Sequence, residues 1–460
     1  QARAALDAIL ADAVARHDIE LEGAARKLLG SIHHLHGDQV QARSELGLSI
    51  ELLRSAGETE QLADALRQRG FIELFGGSHV DAEWFLGEAE AEYRKLGDER
   101  GLAYVEQHRA WLSFLSGDLA LADERLHSAA DTLSRLGDRN GVGWAFGLLA
   151  FVRFFQRRFS DAEDLASIVG AEATERGDDW AAAMMQTLMA NLRLWSGNLD
   201  EALVFAEQAR NRFRRLGDKF GIVQALSALV RTQVALGRGA AAQRSSEELL
   251  ALADASPAGP VPLLAVAGAA IHRGEPRVAL DALDRVAEHM VPGGAGTIEA
   301  VAVRAISNAQ LGNLDEAMAA LDVIVDHGSE HPFAHVAAAL VLALAGDAEG
   351  ALRQAAAVES VGGSTYLDRA ITAVAAAGAH GALGDAEAAA TVLDGAIAEC
   401  LKVGDVVAIA LLQRAHLRVL GRVHPSSVAG VAGGGPDGGG ALGEGWVSVI
   451  EALPAREHVA

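Results

Sequence analysis

The chain has 460 residues, 62 acidic against 39 basic for a formal net charge of −23, and half of them are hydrophobic. That apolar share excludes wholesale disorder, and the negative charge excludes bulk electrostatic binding to nucleic acid or anionic lipid by this chain alone. A single cysteine, Cys400, excludes an internal disulfide and a cysteine-based zinc site. The longest apolar run, Val336 to Ala345, is about half of the roughly 20 residues a bilayer helix needs, and no leader-like series opens the chain. The composition therefore reads as soluble and cytoplasmic. Length alone suggests two or three domains, unless the chain is an array of repeats.

In chain order, Ala2 to Arg16 reads as the second helix of a hairpin whose first helix lies before Gln1, so an attached N-terminal module is expected. A period then sets in. LGDERG at 96–101 recurs as LGDRNG at 136–141, RGDDW at 176–180 and LGDKFG at 216–221, which spaces Gly97, Gly137, Gly177 and Gly217 by 40 residues. Midway between them fall Gly77, Gly117, Gly197 and Gly237, with Arg157 and Arg158 where the missing glycine would stand. At each cut glycine supplies the left-handed residue that ends a helix, and the Asp or Asn after it caps the next. Between cuts, as at Leu203, Phe205, Ala206, Ala209 and Phe213, apolar residues recur at three and four. Each unit is a pair of amphipathic helices.

Residues 1–253 form this long-period array, and DASPAGPVP at 254–262 is the expected joint. Beyond it, over 263–421, the turns fall at Gly274, Gly312, Gly346 and Gly384, in shorter Ala-rich units. Residues 422–445 have the composition of a Gly-rich linker, and 446–460 hold a short amphipathic helix, expected to dock on the last hairpin, and a tail.

At SGNLDEAL (196–203) and LGNLDEAM (311–318) the chain resembles the tetratricopeptide repeats, with Ala202 and Ala317 at the small position where paired helices touch. Ala110, Ala150, Ala190 and Ala305 match the other small position. The resemblance implies an all-α, right-handed α-solenoid of about ten helical hairpins with a concave groove for a protein or peptide partner or a small effector. The units are 40 residues and not about 34. Their LGDxxGxA-like junction is more similar to the C-terminal sensor arrays of large bacterial signalling proteins that carry a nucleotide-hydrolysing switch domain.

Candidate chemistry is sparse. HGSEH at 327–331 matches a zinc-binding letter pattern, but Gly328 and Pro332 place it in a loop where His327 and His331 do not share a helical face, so Glu330 has no metal to serve. GGGPDG at 433–438 satisfies G-x-G-x-x-G by letter, yet follows no strand and opens no helix. His33, His34 and His36 end a helix, where capping suits them. Cys400 has no nearby histidine. No catalytic residue, metal or cofactor is expected.

Recognition is left, and its signal is distribution. Of 22 aromatic residues, 19 lie between Phe71 and Phe220. Two readings stand: the longer hairpins need larger core residues, or some rings line the concave face. Aligned on the turns, Trp111, Phe151, Asn191 and Arg231 form one column, and Ser113, Arg153, Arg193 and Gln233 a second. With Arg109 one helical turn before the second column, Arg109, Arg153 and Arg193 form either a basic track suited to acidic groups or a set of intramolecular ion pairs. The chain thus reads as a non-enzymatic sensor or regulatory scaffold of a larger bacterial signalling or transcription-regulating protein, without direct nucleic-acid or membrane contact. The alternative is a free-standing assembly scaffold, and oligomers suit either reading.

Overall fold

The computed structural model describes residues 2–35, 37–76, 78–255, 261–287, 296–325, 331–426 and 442–455. His36, Gly77, His327, Gly328, Glu330, GGGPDG at 433–438 and parts of the 254–262 joint and of the Gly-rich stretch lie outside the described residues.

The regular elements among the described residues are α-helices. Helix α1 (Ala2–Arg16) packs on the first of ten hairpins, α2 (Ile19–Leu35) with α3 (Gln39–Ala56). Then follow α4 (Thr59–Gly76) with α5 (His79–Leu96), α6 (Glu99–Leu115) with α7 (Leu119–Arg135), and α8 (Arg139–Phe155) with α9 (Phe159–Arg176). The middle pairs are α10 (Asp179–Ser196) with α11 (Leu199–Leu216), α12 (Lys219–Ala235) with α13 (Gly239–Ala255), and α14 (Val261–Arg273) with α15 (Pro276–Ala287). The last are α16 (Thr297–Leu311) with α17 (Leu314–Val325), α18 (Pro332–Leu344) with α19 (Ala348–Val361), and α20 (Tyr366–Ala382) with α21 (Ala386–Val403). Helices α22 (Val406–Leu420) and α23 (Glu444–Ala452) close the chain.

The junction motif explains itself in three dimensions. Gly97, Gly137, Gly177 and Gly217 sit at φ of 67–72°, in the left-handed region, and Asp98, Asp138, Asp178 and Asp218 accept backbone N–H groups of the next first turn. The second glycine answers to packing. A Cβ on Gly101 would lie 2.2 Å from Tyr93 Cδ1, and one on Gly221 2.1 Å from Phe213 Cδ1, so these glycines admit a buried ring from the preceding helix. Ala110, Ala150, Ala190, Ala202, Ala305 and Ala317 are all fully buried where helices approach.

Even-numbered helices pack on one another as well as on their odd partners, so they form the inner layer and the odd helices the outer one. The core is divided unevenly. Three separate clusters serve residues 42 to 225, while a fourth runs without a break from Ala190 to Leu453, with members on both sides of 254–262. The cause is a second set of contacts: α10 touches α20, and both α12 and α14 touch α22. The solenoid winds back on itself there.

Helix α23 reaches beyond the last hairpin. Trp446 is fully buried and donates its indole N–H to His272 O at 2.9 Å, while Gly443 N and Gly445 N bond Arg273 O and Gly274 O at 2.7 and 3.0 Å. Arg418 of α22 holds the other end through Leu453 O and Glu451 O.

Candidate functional site

The arginine column is a ladder of ion pairs. Arg109 meets Glu83 and Glu90 of α5 at 2.8 and 2.9 Å and Glu106 at 3.1 Å. Arg153 meets Asp123 of α7 and Gln156, and Arg193 lies 2.6 Å from Glu163 of α9 and 2.8 Å from Glu201 of α11. Each guanidinium ties an inner helix to the preceding outer one, and its carboxylates leave no free basic track. Ser113 accepts from Arg125, Asn191 donates to Thr187 O within its own helix, and Gln233 is buried. Trp111 and Phe151 are half-buried against the local cores, Trp111 edge-on to Phe114. Arg231 parts from its column and enters the seam described below.

The structure assembles a different lane on the inner layer. Phe71 of α4 lies 5.7 Å from His34 of α2, 4.7 Å from His108 of α6 and 6.4 Å from Trp144 of α8, ring centre to ring centre. Trp144 stacks at 4.9 Å and 7° on Trp180 of α10, whose indole N–H reaches Asp218. Successive members are about 37 residues apart, one repeat less one helical turn, so the lane drifts by a turn per hairpin. That drift hid it from an alignment on the turns; a search at the shortened spacing would have found it. His34, read from sequence as a cap, is a member of this lane. Burial holds His108 well below the ordinary imidazole value with Arg67 nearby adding to the effect, and burial also lowers His34 despite its Gln39 partner and the Asp218 carboxylate. Both are neutral rings at pH 7.

Beside the lane runs a polar network. Buried Lys27 donates to Gln61 and Asp64, Tyr93 Oη donates to Asp64 at 2.6 Å, and Arg67 lies over the Tyr104 ring at 5.1 Å. Burial raises Asp64, but the Tyr93 hydrogen bond and the Arg67 and Lys27 charges outweigh it and hold the carboxyl below its usual range. Tyr104, half-buried and donating to Asp138, is pushed up to about 12 by that burial and by the carboxylate.

A second constellation occupies the seam where the ends of α8, α10 and α12 meet the start of α20. Arg157, at φ 58° in a place other turns give to glycine, donates to Asp368 at 2.9 Å and Gly363 O at 3.1 Å and stands 5.0 Å from the Trp195 ring centre. Tyr366 Oη and His272 Nε2 lie 2.9 and 3.0 Å from the same oxygen of Asp405, a carboxylate with no exposure. His331 pairs with Glu299 at 3.3 Å; burial raises Glu299, but His331 and Arg157 overcome this and hold it at about 2. Outside the seam a cleft of about 510 Å³ opens between Ser196–Gly197 and α21, lined by Glu399 and Lys402. Cys400 is buried, its thiol pushed up to about 12 by burial and by Asp405. It is no nucleophile at neutral pH.

Stacked helical hairpins with an inner layer of even helices, small residues at the helix crossings and glycine turns define a solenoid of the tetratricopeptide type. No protein-family model matches the chain, and no curated protein matches it in sequence. Solved structures carry the likeness. The Cut9–Hcn1 hetero-tetramer of the APC/C is similar with a TM-score of 0.53 at 14% identity over 98% of this chain and 96% of that one. A Rap protein complexed with Competence and Sporulation Factor is similar with a TM-score of 0.50 at 14% identity, over 84% of this chain and 99% of that one. At such identity the likeness is one of fold. No helix among the described residues is long and apolar enough to cross a membrane.

Proposed function

We propose that the chain is a non-enzymatic scaffold that receives a protein or peptide partner along the inner face of its N-terminal hairpins, as the sensor or regulatory part of a larger bacterial signalling or transcription-regulating protein. The observation that carries this reading is the lane His34, Phe71, His108, Trp144 and Trp180: half-buried rings and neutral imidazoles, on the layer that stacked hairpins present to a partner. Both similar structures described above were solved with a partner, which supports the reading. In it, residues 1–253 are the receiving array and 263–421 back it. Separate small cores let hairpins rotate against each other, so an occupant that favours one curvature would bias an attached switch.

The test is affinity capture from cells that express the chain natively, comparing the unaltered protein with Trp144→Ala/Trp180→Ala. Loss of a specific stoichiometric partner is expected from the double variant while its helical circular dichroism is kept. Equal capture by both sinks the inner-face assignment. Arg153→Glu/Arg193→Glu is the companion variant, and because both arginines are spent on ion pairs it is expected to capture normally.

A further inference from the structure

Helix α23 stands outside the repeat. At nine residues it is too short to hold a helix in water by itself, so its seat is what orders it. Its apolar residues Trp446, Val449, Ile450 and Leu453 recur at three and four, and all are buried. The seat is walled by α14, α16, α20 and α22, and it is shaped for this helix. Gly378 lies inside α20, where glycine weakens a helix, yet the atoms nearest to a Cβ there all belong to Leu453, the first at 2.6 Å. At the other end a Cβ on Gly274 would meet Trp446 Cδ1 at 2.8 Å. The remaining holds are made to backbone: three carbonyls at the end of α14 accept from Trp446, Gly443 and Gly445, and Arg418 donates to the last carbonyls of α23. One group is left over. Gln310, 1% exposed, donates to Ile271 O at 3.1 Å, but no donor among the described residues reaches its Oε1, which lies beside Gly445. A buried acceptor left unmet weakens the closure, so the seat holds α23 less tightly than the apolar fit alone would.

We propose that this seat also receives α23 from a second copy of the chain, so that two copies pair by exchanging their last helices. An empty seat would expose the walls that now enclose Trp446 and Leu453, an apolar patch that calls for a cover. The occupant that fits those walls is α23 itself, and its attachment lets it serve a neighbour. Residues 427–441, which join it to the array, are fifteen in number and seven of them are glycine. Such a connection reaches at most about 50 Å. Exchange keeps every contact of the seat and changes only which copy supplies the helix; each copy gives and receives, which is two-fold symmetry. In dilute solution the same connection keeps α23 near its own seat at an effective concentration on the order of 1 mM, so single copies prevail and pairs gain as the protein is concentrated. This goes beyond partner binding on the N-terminal inner face, which stands or falls separately.

The test is sedimentation of two full-chain variants, alone and mixed. Trp446→Ala keeps the seat and disables the helix, whereas Gly378→Val keeps the helix and blocks the seat. At about 100 µM each variant alone is expected to sediment as a single copy, and an equimolar mixture to yield a species of twice that mass, because one intact helix and one open seat then meet. A mixture without that species, or the same species in equal amount in either variant alone, would overturn the proposal. A synthetic peptide of residues 442–455 gives the second reading by fluorescence anisotropy. It is expected to bind Trp446→Ala saturably, one per chain, and Gly378→Val about tenfold more weakly or less. Equal binding to both refutes the seat as the receiving surface. If Trp446→Ala does not fold by itself, refolding with the peptide present is expected to recover it, and failure of that rescue refutes the proposal as well.

Discussion

The N-terminal hairpins pack mainly on the hairpins next to them, while α10, α12 and α14 also touch α20 and α22, several hairpins farther along the chain. The same repeat chemistry underlies both halves. In the first, three small clusters and the ladder Arg109, Arg153 and Arg193 join helix to adjacent helix. The long ties involve the second: Arg157, at the α8–α9 turn of the first, reaches Asp368 across 211 residues, and Trp446 reaches His272 across 174. An array with nearest-neighbour contacts loses stability piecemeal, and one whose ends are tied together loses it as a unit. The chain combines a pliable stretch suited to receiving a partner with a stiff one suited to holding shape.

The most damaging way to break the comparison is to cut a long-range tie. Asp368→Ala leaves Arg157 buried and unpaired beside Arg231, and removes the α20 cap; a loss of about 3–5 kcal/mol is expected in urea unfolding, confined to the C-terminal transition. Arg157→Gly should cost about 1 kcal/mol less than that, because glycine relaxes the left-handed backbone. Trp446→Ala empties a fully buried site and is expected to cost about 3–5 kcal/mol, read as exposure of amides in α14, α16 and α22 by hydrogen exchange. Exchange confined to α23 would show that the tail is an accessory.

Acid separates the halves in another way. His108 and His34 have folded pKa values below their ordinary 6.5, so below that pH the unfolded chain binds more protons than the folded one. Stability of the N-terminal half should therefore fall as pH drops beneath 6.5, by up to about 1.4 kcal/mol per pH unit for each histidine. Glu299, depressed to about 2 from 4.5, contributes stability above 4.5 that is lost between those values. Unfolding followed at pH 5 should show the first half weakened and the second intact.

Two smaller effects sharpen the contrast. Gly101→Ala drives a methyl into the Tyr93 ring and should cost about 1–3 kcal/mol, felt only in α4–α6 by hydrogen exchange. Arg193→Gln removes a rung that is partly exposed, and no more than about 1 kcal/mol is expected in chemical denaturation.

The local rules were readable from the residues: helix starts at Asp98, Asp138, Asp178 and Asp218, stops at the 40-residue glycines, and alanines at the crossings. The candidate site was readable in part. Arg109, Arg153 and Arg193 formed a true column, but the carboxylates opposite them, Glu83, Asp123 and Glu163, share the 40-residue period and decide its character. Arg157 stood out as a missing glycine. Its meaning depends on Asp368, and no periodicity connects residues that meet because a superhelix completes a turn.

The tail has a mechanical consequence. Its last helix is fastened to the end of α14 by Trp446 and two backbone hydrogen bonds, and to α22 by Arg418. A tug on the C-terminal residues is therefore shared at once between α22 and the seventh hairpin, and the hairpins between those points carry little of the strain. Load bypasses them, as it bypasses the middle links of a chain clipped back onto itself.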